Sequence, residues 1–318
     1  MDKYRDVSPL QVSGLNKRYG RTDVLTDLSL TVEAGAVHGL VGLNGSGKTT
    51  TLECILGMLP YDRGDVAVLG HRPDHLWRAT GAVVGIFDSP SLHPGLTVRQ
   101  SLEHARILCP ETVRSPAQVE SLLGISRYSN YRIRQLSLGN RRRASIAQAL
   151  LGQPAFVILD EPFNGLDAGG VDDVLALISR LNREEGTAFL LSSHQLPYLE
   201  RICSHMSILH KGRIEISEPV EQLFAARHPR ILLRCDQVER ASGLLQAQPG
   251  ILQVTSAPDG SLQVEIDERA PAPASINQQL VQAGIAVSGL ISETPSLESL
   301  FREITGSEAG DGKVEAAA

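Results

Sequence analysis

The stretch Gly42-Leu43-Asn44-Gly45-Ser46-Gly47-Lys48-Thr49-Thr50 matches the pattern G-x-x-x-x-G-K-[ST] at every fixed position. An apolar run at Ala36–Val41 precedes it, and Thr50–Leu59 follows it with helical spacing. The pattern therefore predicts a loop between a buried strand and a helix, which is the setting of phosphate-binding loops. The alternative, a glycine-rich turn that happens to carry a lysine, does not account for the strand and the helix on either side.

The residue types in this loop suit the phosphates of a nucleotide. Glycine lets the backbone approach phosphate oxygens and aim successive N–H groups at them, and the start of the helix adds the positive end of its dipole. We expect Lys48 to reach the β- and γ-phosphates and the Thr49 hydroxyl to bind Mg²⁺. The other loop residues predicted to contact the nucleotide are Gly42, Asn44, Gly45, Ser46, Gly47 and Thr50.

Length and composition exclude several classes of protein. The chain has 318 residues, 42% of them hydrophobic, which suits about two domains with real cores. Its net charge of −6 gives no electrostatic reason to expect nucleic acid as the main partner. The four cysteines are scattered without a C-x-x-C pair, which argues against a zinc site and fits a reducing cytosol. We expect neither a signal peptide nor a membrane-spanning helix.

A second motif follows the apolar run Phe156–Leu159, which predicts a buried parallel strand. Asp160 and Glu161 stand directly after it, at the end of the strand where α/β sheets place their ligands. Asp160 suits the binding of Mg²⁺, directly or through water. Glu161 suits a general base that orients an attacking water. An Asp-Glu pair after a strand is weak evidence alone, but this pair follows a phosphate-binding loop.

A histidine ends the next predicted strand, Thr187–Leu191, after two serines. At the same sheet edge as Glu161, His194 can donate a hydrogen bond to a γ-phosphate. A lone histidine is usually not catalytic, but its place after the two motifs favours the catalytic interpretation.

Ser137 is predicted to cap a helix whose apolar face includes Ala144 and Ile146. Serine and glycine at a helix start can bind an anion, so the candidate residues here are Ser137, Gly139 and Asn140. The three arginines at 141–143 are interpreted as a solvated or salt-bridged first turn rather than a nucleic-acid site, because the chain is acidic. Asp167 closes a turn that leads into the helix Val171–Glu184.

Two further candidates rest on weaker patterns. Tyr19 precedes Gly20 between two strands and could stack on a nucleotide base, although local packing at an edge explains it nearly as well. Asp88 follows the strand Ala82–Phe87 and could contact a metal-bound water, although a solvated loop aspartate is the ordinary alternative.

The pattern of elements predicts an α/β fold with two domains. An α/β nucleotide-binding domain is expected over 10–227, with a helical subdomain at about 85–150. The succession βαββαβ over 228–306 predicts a small α+β ferredoxin-like domain, which we interpret as a packing or dimer-stabilising appendage rather than a ligand sensor. Residues 1–9 and 307–318 are expected to be disordered.

Taken in order, these motifs resemble the ATP-binding subunit of ABC transporters, a P-loop NTPase family, over about Leu10–Ala226. The resemblance implies that Gly42–Thr50 is the Walker A loop, that Asp160 is the Walker B aspartate and that Glu161 is the catalytic glutamate. It identifies Tyr19 with the adenine-stacking aromatic, Asp88 with the Q-loop residue, Leu136–Asn140 with the signature, Asp167 with the D-loop aspartate and His194 with the switch histidine. Catalysis would thus fall to Lys48, Glu161 and His194, and the metal contacts to Thr49, Asp160 and Asp88.

The sequence departs from the family pattern at three positions. Asp88 replaces a glutamine, and Leu138 and Asn140 replace a glycine and a glutamine of the signature LSGGQ. Such changes also occur in one branch of the family, the branch that resembles antibiotic, lantibiotic and drug exporters. Leu297–Gly306 resembles the end of the C-terminal domain in that branch. Coupling could be altered, and a heterodimer with one weakened site stays open.

The resemblance implies that ATP and Mg²⁺ bind between two head-to-tail subunits, expected to be copies of this chain. Hydrolysis would then power export of a compound such as an antibiotic, drug or peptide through an integral membrane permease on a separate chain. The protein would lie on the cytoplasmic face of a bacterial membrane, without a nucleic-acid partner. The rival interpretations are a soluble ABC ATPase acting on nucleic acid or the ribosome, and a regulatory subunit that binds nucleotide without hydrolysing it.

Overall fold

The computed structural model describes residues 4, 7–88, 92–109, 112–225, 228–257 and 259–306. The tail 307–318 lies outside these residues, as do residues 1–3, 5 and 6 of the start that is predicted to be unordered. The chain divides into two units, Met1–Val220 and Glu221–Ala318. In the described part of the chain, no helix combines the length and the apolar character needed to cross a membrane.

The first unit is built from two sheets and the helices around them. Its strands are β1 (Leu10–Tyr19), β2 (Thr22–Val32), β3 (Val37–Val41), β4 (Arg63–Val68), β5 (Val83–Ile86), β6 (Phe156–Asp160), β7 (Ala188–Ser193), β8 (His205–His210) and β9 (Arg213–Pro219). The α-helices are α1 (Lys48–Ile55), α2 (Val98–Leu108), α3 (Pro116–Leu122), α4 (Leu138–Ala149), α5 (Ala168–Glu185) and α6 (Leu196–Glu200), and α7 (Val220–Ala225) follows. The 3₁₀ helices at Pro73–Ala79, Ser126–Tyr128 and Ile133–Gln135 were not predicted.

The larger sheet has the strand order β5-β6-β7-β3-β8-β9, and its first five strands are parallel. Every residue of β3, β6 and β7 is buried, which explains why these strands are continuous apolar runs. The smaller sheet, β2-β1-β4, is antiparallel, and β2 alternates buried Leu28 and Leu30 with exposed Asp27 and Ser29. Both sheets contribute to one hydrophobic core, into which α1 also packs.

The helices α2, α3 and α4 lie between β5 and β6 in the chain, within the span predicted to be helical. Thr97 begins α2 and Ser115 begins α3, each with a reciprocal capping box in which a glutamine three residues on bonds back to the cap. Asp167 caps the start of α5, and Gly186 caps its end with a φ of 69°, the left-handed conformation that favours glycine. Local capping therefore sets where these helices start and stop.

The second unit contains β10 (Arg230–Cys235), α8 (Val238–Gln246), β11 (Ile251–Ser256), β12 (Leu262–Ile266), α9 (Pro273–Gln282), β13 (Val287–Glu293) and α10 (Leu297–Thr305). Its antiparallel sheet has the order β11-β12-β10-β13, and the element succession is the βαββαβ pattern of a ferredoxin-like module. It has its own core, which includes Ile231, Leu245 and Ile276. The Pro/Ala segment Ala270–Ala274 has the composition of a linker, but α9 starts within it at Pro273, a residue that is favoured in a first helical turn.

Candidate nucleotide-hydrolysis site

Sheet order brings the three sequence motifs to one place. The strands β6, β7 and β3 are neighbours and run in parallel, so their carboxyl ends meet at one edge of the sheet. The phosphate-binding loop follows β3, Glu161 follows β6 and His194 follows β7. This edge is where open α/β sheets bind their ligands.

The loop after β3 depends on two glycines. A Cβ at Gly42 would lie 2.3 Å from Ser46 Oγ and 2.7 Å from the carbonyl oxygen of Leu209. Gly47, which begins α1, has a φ of 109°, and a Cβ there would lie 2.7 Å from a methyl carbon of Leu25. Any other residue would therefore force the loop open.

The loop presents donors that fit a phosphate group. Lys48 is buried, and its Nζ donates to the carbonyl oxygens of Gly42 at 2.8 Å and Leu43 at 3.3 Å. The buried Oγ of Ser46 has no hydrogen-bond partner among the described residues. A buried hydroxyl without a partner is costly, so this atom and the Lys48 ammonium together suit an anionic ligand.

Thr49 and Asp160 meet as the predicted metal site requires. The Thr49 hydroxyl donates to Asp160 Oδ2 at 2.9 Å, and the Ser192 hydroxyl donates to the other oxygen, Oδ1. In the described ranges, no three His, Cys, Asp or Glu side chains are close enough to hold a metal alone. One hydroxyl and one carboxylate still fit Mg²⁺, because this ion is commonly held by one or two carboxylates together with substrate phosphates.

Glu161 is the centre of the site. Its Oε1 lies 3.4 Å from Lys48 Nζ and 3.0 Å from His194 Nδ1, and its Oε2 accepts a hydrogen bond from Ser193 Oγ at 3.1 Å. The Glu161 side chain is 11% exposed, whereas that of His194 is 43% exposed. Glu161 is thus in direct contact with the other two residues predicted to be catalytic, Lys48 and His194.

Asp88, predicted to contact the metal, is bonded to Arg142 and Asn164. Its Oδ1 accepts from the guanidinium of Arg142 at 2.6 Å and from Asn164 Nδ2 at 3.1 Å. Among the described residues, no hydrogen bond joins it to Thr49 or Asp160. Arg142 is only 1% exposed, so the interpretation of the arginine cluster as solvated is wrong for this residue, and the salt-bridged alternative applies.

Ser137 and Asp167 each cap a helix. Ser137 Oγ accepts from the backbone N–H of Asn140 at 3.3 Å at the start of α4. Asp167 Oδ1 accepts from the backbone N–H of Gly170 at 2.9 Å at the start of α5. Within the described ranges, no hydrogen bond or ion pair joins the start of α4 to the phosphate-binding loop.

The start of α4 packs against the turn before α5. A Cβ at Gly165 would lie 2.4 Å from the Leu138 side chain, and a Cβ at Gly139 would lie 3.1 Å from the Gly165 carbonyl oxygen. Leu138, one of the departures from the family signature, therefore fills the space above Gly165. It is also 48% exposed, so part of its side chain remains free for another surface.

Tyr19 lies at the end of β1 and is 49% exposed. The ammonium of Lys17 lies 5.1 Å from the centre of its ring. The ring is therefore accessible for stacking, and its role as a base-stacking residue stays a prediction.

Comparisons with known proteins identify the family. The family described as "ABC transporter" matches residues 25–164. The chain is 31% identical to an uncharacterised ABC transporter ATP-binding protein of Bacillus subtilis, YdbJ, over 96% of this chain and 97% of that protein. The chain belongs to the ABC transporter ATP-binding proteins, as the sequence predicted, and membership implies ATP binding and hydrolysis.

Other relatives are named for transport or for drug resistance. The bacitracin transport ATP-binding protein BcrA of Bacillus licheniformis is 28% identical over 93% of this chain and 97% of its own length. The daunorubicin resistance ATP-binding protein DrrA3 of Streptomyces coeruleorubidus is 30% identical over 94% and 96%.

A solved structure confirms the predicted α/β fold. It is an ATP-binding subunit of an ABC transporter that is 28% identical, with a TM-score of 0.63 over 69% of this chain and 92% of that chain. A dimeric ATP-binding cassette, MJ0796, is 22% identical with a TM-score of 0.60 over 66% of this chain and 98% of that chain, and supports the fold alone.

Sequence reasoning missed several residues around Glu161. Ser193, Asn164 and Gln195 form a chain of hydrogen bonds beside it, with Gln195 Nε2 donating to Asn164 Oδ1 at 3.0 Å and the Gln195 N–H donating to Ser193 Oγ at 3.0 Å. The serines beside His194 were visible in sequence but carried no distinctive pattern. Arg142 had a signal that could have found it, because it stands four residues before Ile146 and so shares the buried face of α4.

Proposed function

We propose that this chain is the ATP-hydrolysing subunit of a transporter that exports a compound through a permease on a separate chain. The single observation that carries hydrolysis is the contact of Glu161 with both Lys48 and His194 at one sheet edge. A chain that only held nucleotide would need the loop but not this carboxylate and histidine. Export is proposed because relatives are named for bacitracin transport and daunorubicin resistance, and moving a drug out of the cell is one way to make the cell resistant to it.

Each site residue has a proposed role that follows from its position. Lys48 and the loop bind the phosphates of ATP, while Thr49 and Asp160 hold Mg²⁺, which neutralises phosphate charge when it is bound. Glu161 accepts the proton of the attacking water and orients it. His194 holds the γ-phosphate by a hydrogen bond, because its ring is partly exposed beside Glu161.

The site is proposed to be completed by a second copy of the chain. The start of α4, with Ser137, Gly139 and Asn140, has the backbone N–H groups of a helix start and is not bonded to its own phosphate-binding loop among the described residues. In a head-to-tail dimer, this helix start would close over ATP held by the other copy. Asp167, at the neighbouring turn, would lie at the same interface.

An apolar surface on the first unit suits the proposed permease. A groove of about 460 Å³ is lined by Met58, residues of β5, and Leu108 at the end of α2. Met58 is 64% exposed, and Ile107 and Leu108 are 76% and 69% exposed. Exposed apolar patches of this kind mark contact sites for other proteins. Together with membership of the ABC transporter ATP-binding proteins, this surface supports the proposal that the protein lies at the cytoplasmic face of a bacterial membrane.

The proposed hydrolysis is tested with Glu161→Gln. The variant should still bind ATP and should fold like the wild type, while its steady-state ATPase rate falls by at least about a hundredfold, because an amide cannot accept the proton. Glu184→Gln, an exposed glutamate on α5, serves as the matched control. An unchanged ATPase rate in Glu161→Gln would remove the proposed role.

The proposed permease is tested by recovering partners of the Glu161→Gln variant from detergent-solubilised membranes in the presence of ATP and Mg²⁺. An integral membrane protein should be recovered, and Ile107→Asp should abolish its recovery. Val281→Asp, which places the same charge on an exposed apolar position of α9, should not. Recovery of only soluble nucleic-acid-binding proteins would contradict the transporter and favour the rival class.

A further inference from the structure

The guanidinium of Arg142 lies buried behind the turn that carries Glu161. It belongs to α4, yet it donates to the carbonyl oxygen of Phe87 at 2.7 Å, to Asp88 Oδ1 at 2.6 Å and to the carbonyl oxygen of Glu161 at 3.0 Å. The Arg142 side chain therefore connects α4, the residues Phe87 and Asp88 after β5, and the turn after β6. Its planar fork of donors allows these bonds to be made together, which a lysine cannot do.

The Glu161 backbone needs such support. Its φ is 47°, in the left-handed region that residues with a Cβ rarely adopt. Such a conformation persists only where the surroundings hold it. The Glu161 N–H donates to the Ser192 carbonyl oxygen at 2.9 Å, and its own carbonyl oxygen accepts from Asn164 N–H at 3.2 Å as well as from Arg142. This peptide orientation aims the Glu161 carboxylate at Lys48 and His194.

Asp88 in turn holds Arg142. A buried guanidinium without a carboxylate partner is strongly unfavourable. Burial lowers the pKa of Arg142, and the negative charge of Asp88 opposes that shift. Asp88 also accepts from the amide of Asn164, the residue whose backbone N–H bonds to the Glu161 carbonyl oxygen. Two routes, through Arg142 and through Asn164, thus lead from Asp88 to the same peptide.

We propose that Arg142 is a positioning residue for Glu161 and that Asp88 acts on hydrolysis through Arg142 rather than by contacting the metal. This inference rests on the proposed role of Glu161 as the base. The alternative is that the Asp88–Arg142 pair only stabilises the fold.

A double-mutant cycle on ATPase activity separates these possibilities. Asp88→Asn should lower kcat about tenfold while the KM for ATP changes by less than about twofold, because the phosphate contacts are untouched. Arg142→Lys should lower kcat to a similar extent. The kcat of the double variant should be no lower than that of the less active single variant. Asp88→Glu, which restores a carboxylate, should recover most of the rate.

Asp172→Asn is the matched control. Asp172 also pairs with an arginine, Arg201, at 2.9 Å, and its side chain is 60% exposed against 52% for Asp88. Its variant should keep the wild-type kcat. Additive effects in the cycle would overturn the inference, as would a kcat fall in Asp172→Asn equal to that in Asp88→Asn. A higher Mg²⁺ requirement in Asp88→Asn would show direct metal contact instead and overturn it too.

Amide hydrogen exchange gives a readout that does not depend on hydrolysis. The N–H groups of Asn164 and Leu166 lie in the turn after Glu161, so they should exchange faster in Asp88→Asn and stay unchanged in Asp172→Asn. If exchange rises as expected but Glu161→Gln still hydrolyses ATP, the proposed function fails and the coupling stands. If Glu161→Gln is inactive but exchange and kcat are unchanged in Asp88→Asn, the coupling fails alone.

Discussion

The Nζ atom of Lys48 lies 3.4 Å from Oε1 of Glu161, and both side chains are buried. One end of the phosphate-binding loop is therefore paired with the carboxylate that we propose as the base. The pairing places a negative charge close to where anionic phosphates would bind, so binding and catalysis make opposite electrostatic demands on Glu161.

From this contact we expect Glu161→Gln to bind ATP more tightly than the wild type. The amide removes a negative charge that faces both Lys48 and the phosphates, and the affinity should rise by about tenfold. Equilibrium titration with a fluorescent ATP analogue measures it, with Glu184→Gln as the control of equal charge change. Weaker binding by Glu161→Gln would contradict this argument even if hydrolysis were lost.

Tyr19→Ala should weaken the binding of ATP without weakening the binding of inorganic tripolyphosphate. Stacking of a base on an aromatic ring contributes about 1–3 kcal/mol, which corresponds to a loss of about 5- to 150-fold in affinity. Competition titrations with the two ligands measure the difference. Equal affinities for ATP in the variant and the wild type would instead support the interpretation of Tyr19 as a locally packed edge residue.

His38 should make the stability of the first unit depend on pH. Burial, and secondarily the nearby His205, lowers the pKa of His38 to about 3. Its Nε2 lies 2.7 Å from Ser207 Oγ in β8. Below pH 6.5 the unfolded chain binds a proton that the folded chain does not, so stability is full above pH 6.5 and falls as the pH drops towards 3.

The expected loss from His38 is about 2 kcal/mol of unfolding free energy at pH 5 relative to pH 7.5. Denaturant unfolding at the two pH values measures it in the wild type and in His38→Gln, where the difference should shrink by that amount. His75→Gln, at an exposed histidine, should keep the wild-type difference. An undiminished pH dependence in His38→Gln would show that other groups cause it.

Gly165→Ala should destabilise the first unit. The φ of Gly165 is 72°, which costs a residue with a Cβ about 1–2 kcal/mol, and the new Cβ would also collide with Leu138. Leu138→Ala in the same chain should recover the part due to the collision but not the part due to φ. Thermal unfolding measures both.

Gly169→Ala is the matched control for this substitution. Gly169 lies in α5, and a Cβ there would meet nothing within 4 Å. Alanine should therefore be neutral or stabilising by up to about 1 kcal/mol, because it is the better helix former. A Gly165→Ala protein as stable as this control would contradict the packing of Leu138 on Gly165.

Much of the fold could be predicted from sequence because its signals are local. The strands predicted from the apolar runs Ala36–Val41 and Phe156–Leu159 are β3 and β6, each within one residue at its ends, and the helix predicted to be capped by Ser137 is α4. The 3₁₀ helix at Pro73–Ala79 was missed, since short helices of this type have no periodic apolar pattern. The start of α9 was also missed, because a Pro/Ala run looks the same in a linker and in a first helical turn.

The sequence by itself determined the class of chemistry. The spacing of Gly42, Gly47, Lys48 and Thr49 predicts a phosphate-binding loop, and Asp160-Glu161 after an apolar strand, taken together with that loop, predicts a metal ligand and a base. These properties depend on residues that are close together in the chain, so the local sequence suffices to predict them.

Only the tertiary structure decided how these groups meet. The parallel order of β6, β7 and β3 places His194 and Lys48 on Glu161, and the burial of Arg142 gives Asp88 a partner that no spacing in the sequence predicts. The positive φ of Glu161 is likewise invisible in sequence. Such contacts join residues that are distant in the chain, and they are set by strand order and by which helix face packs inward.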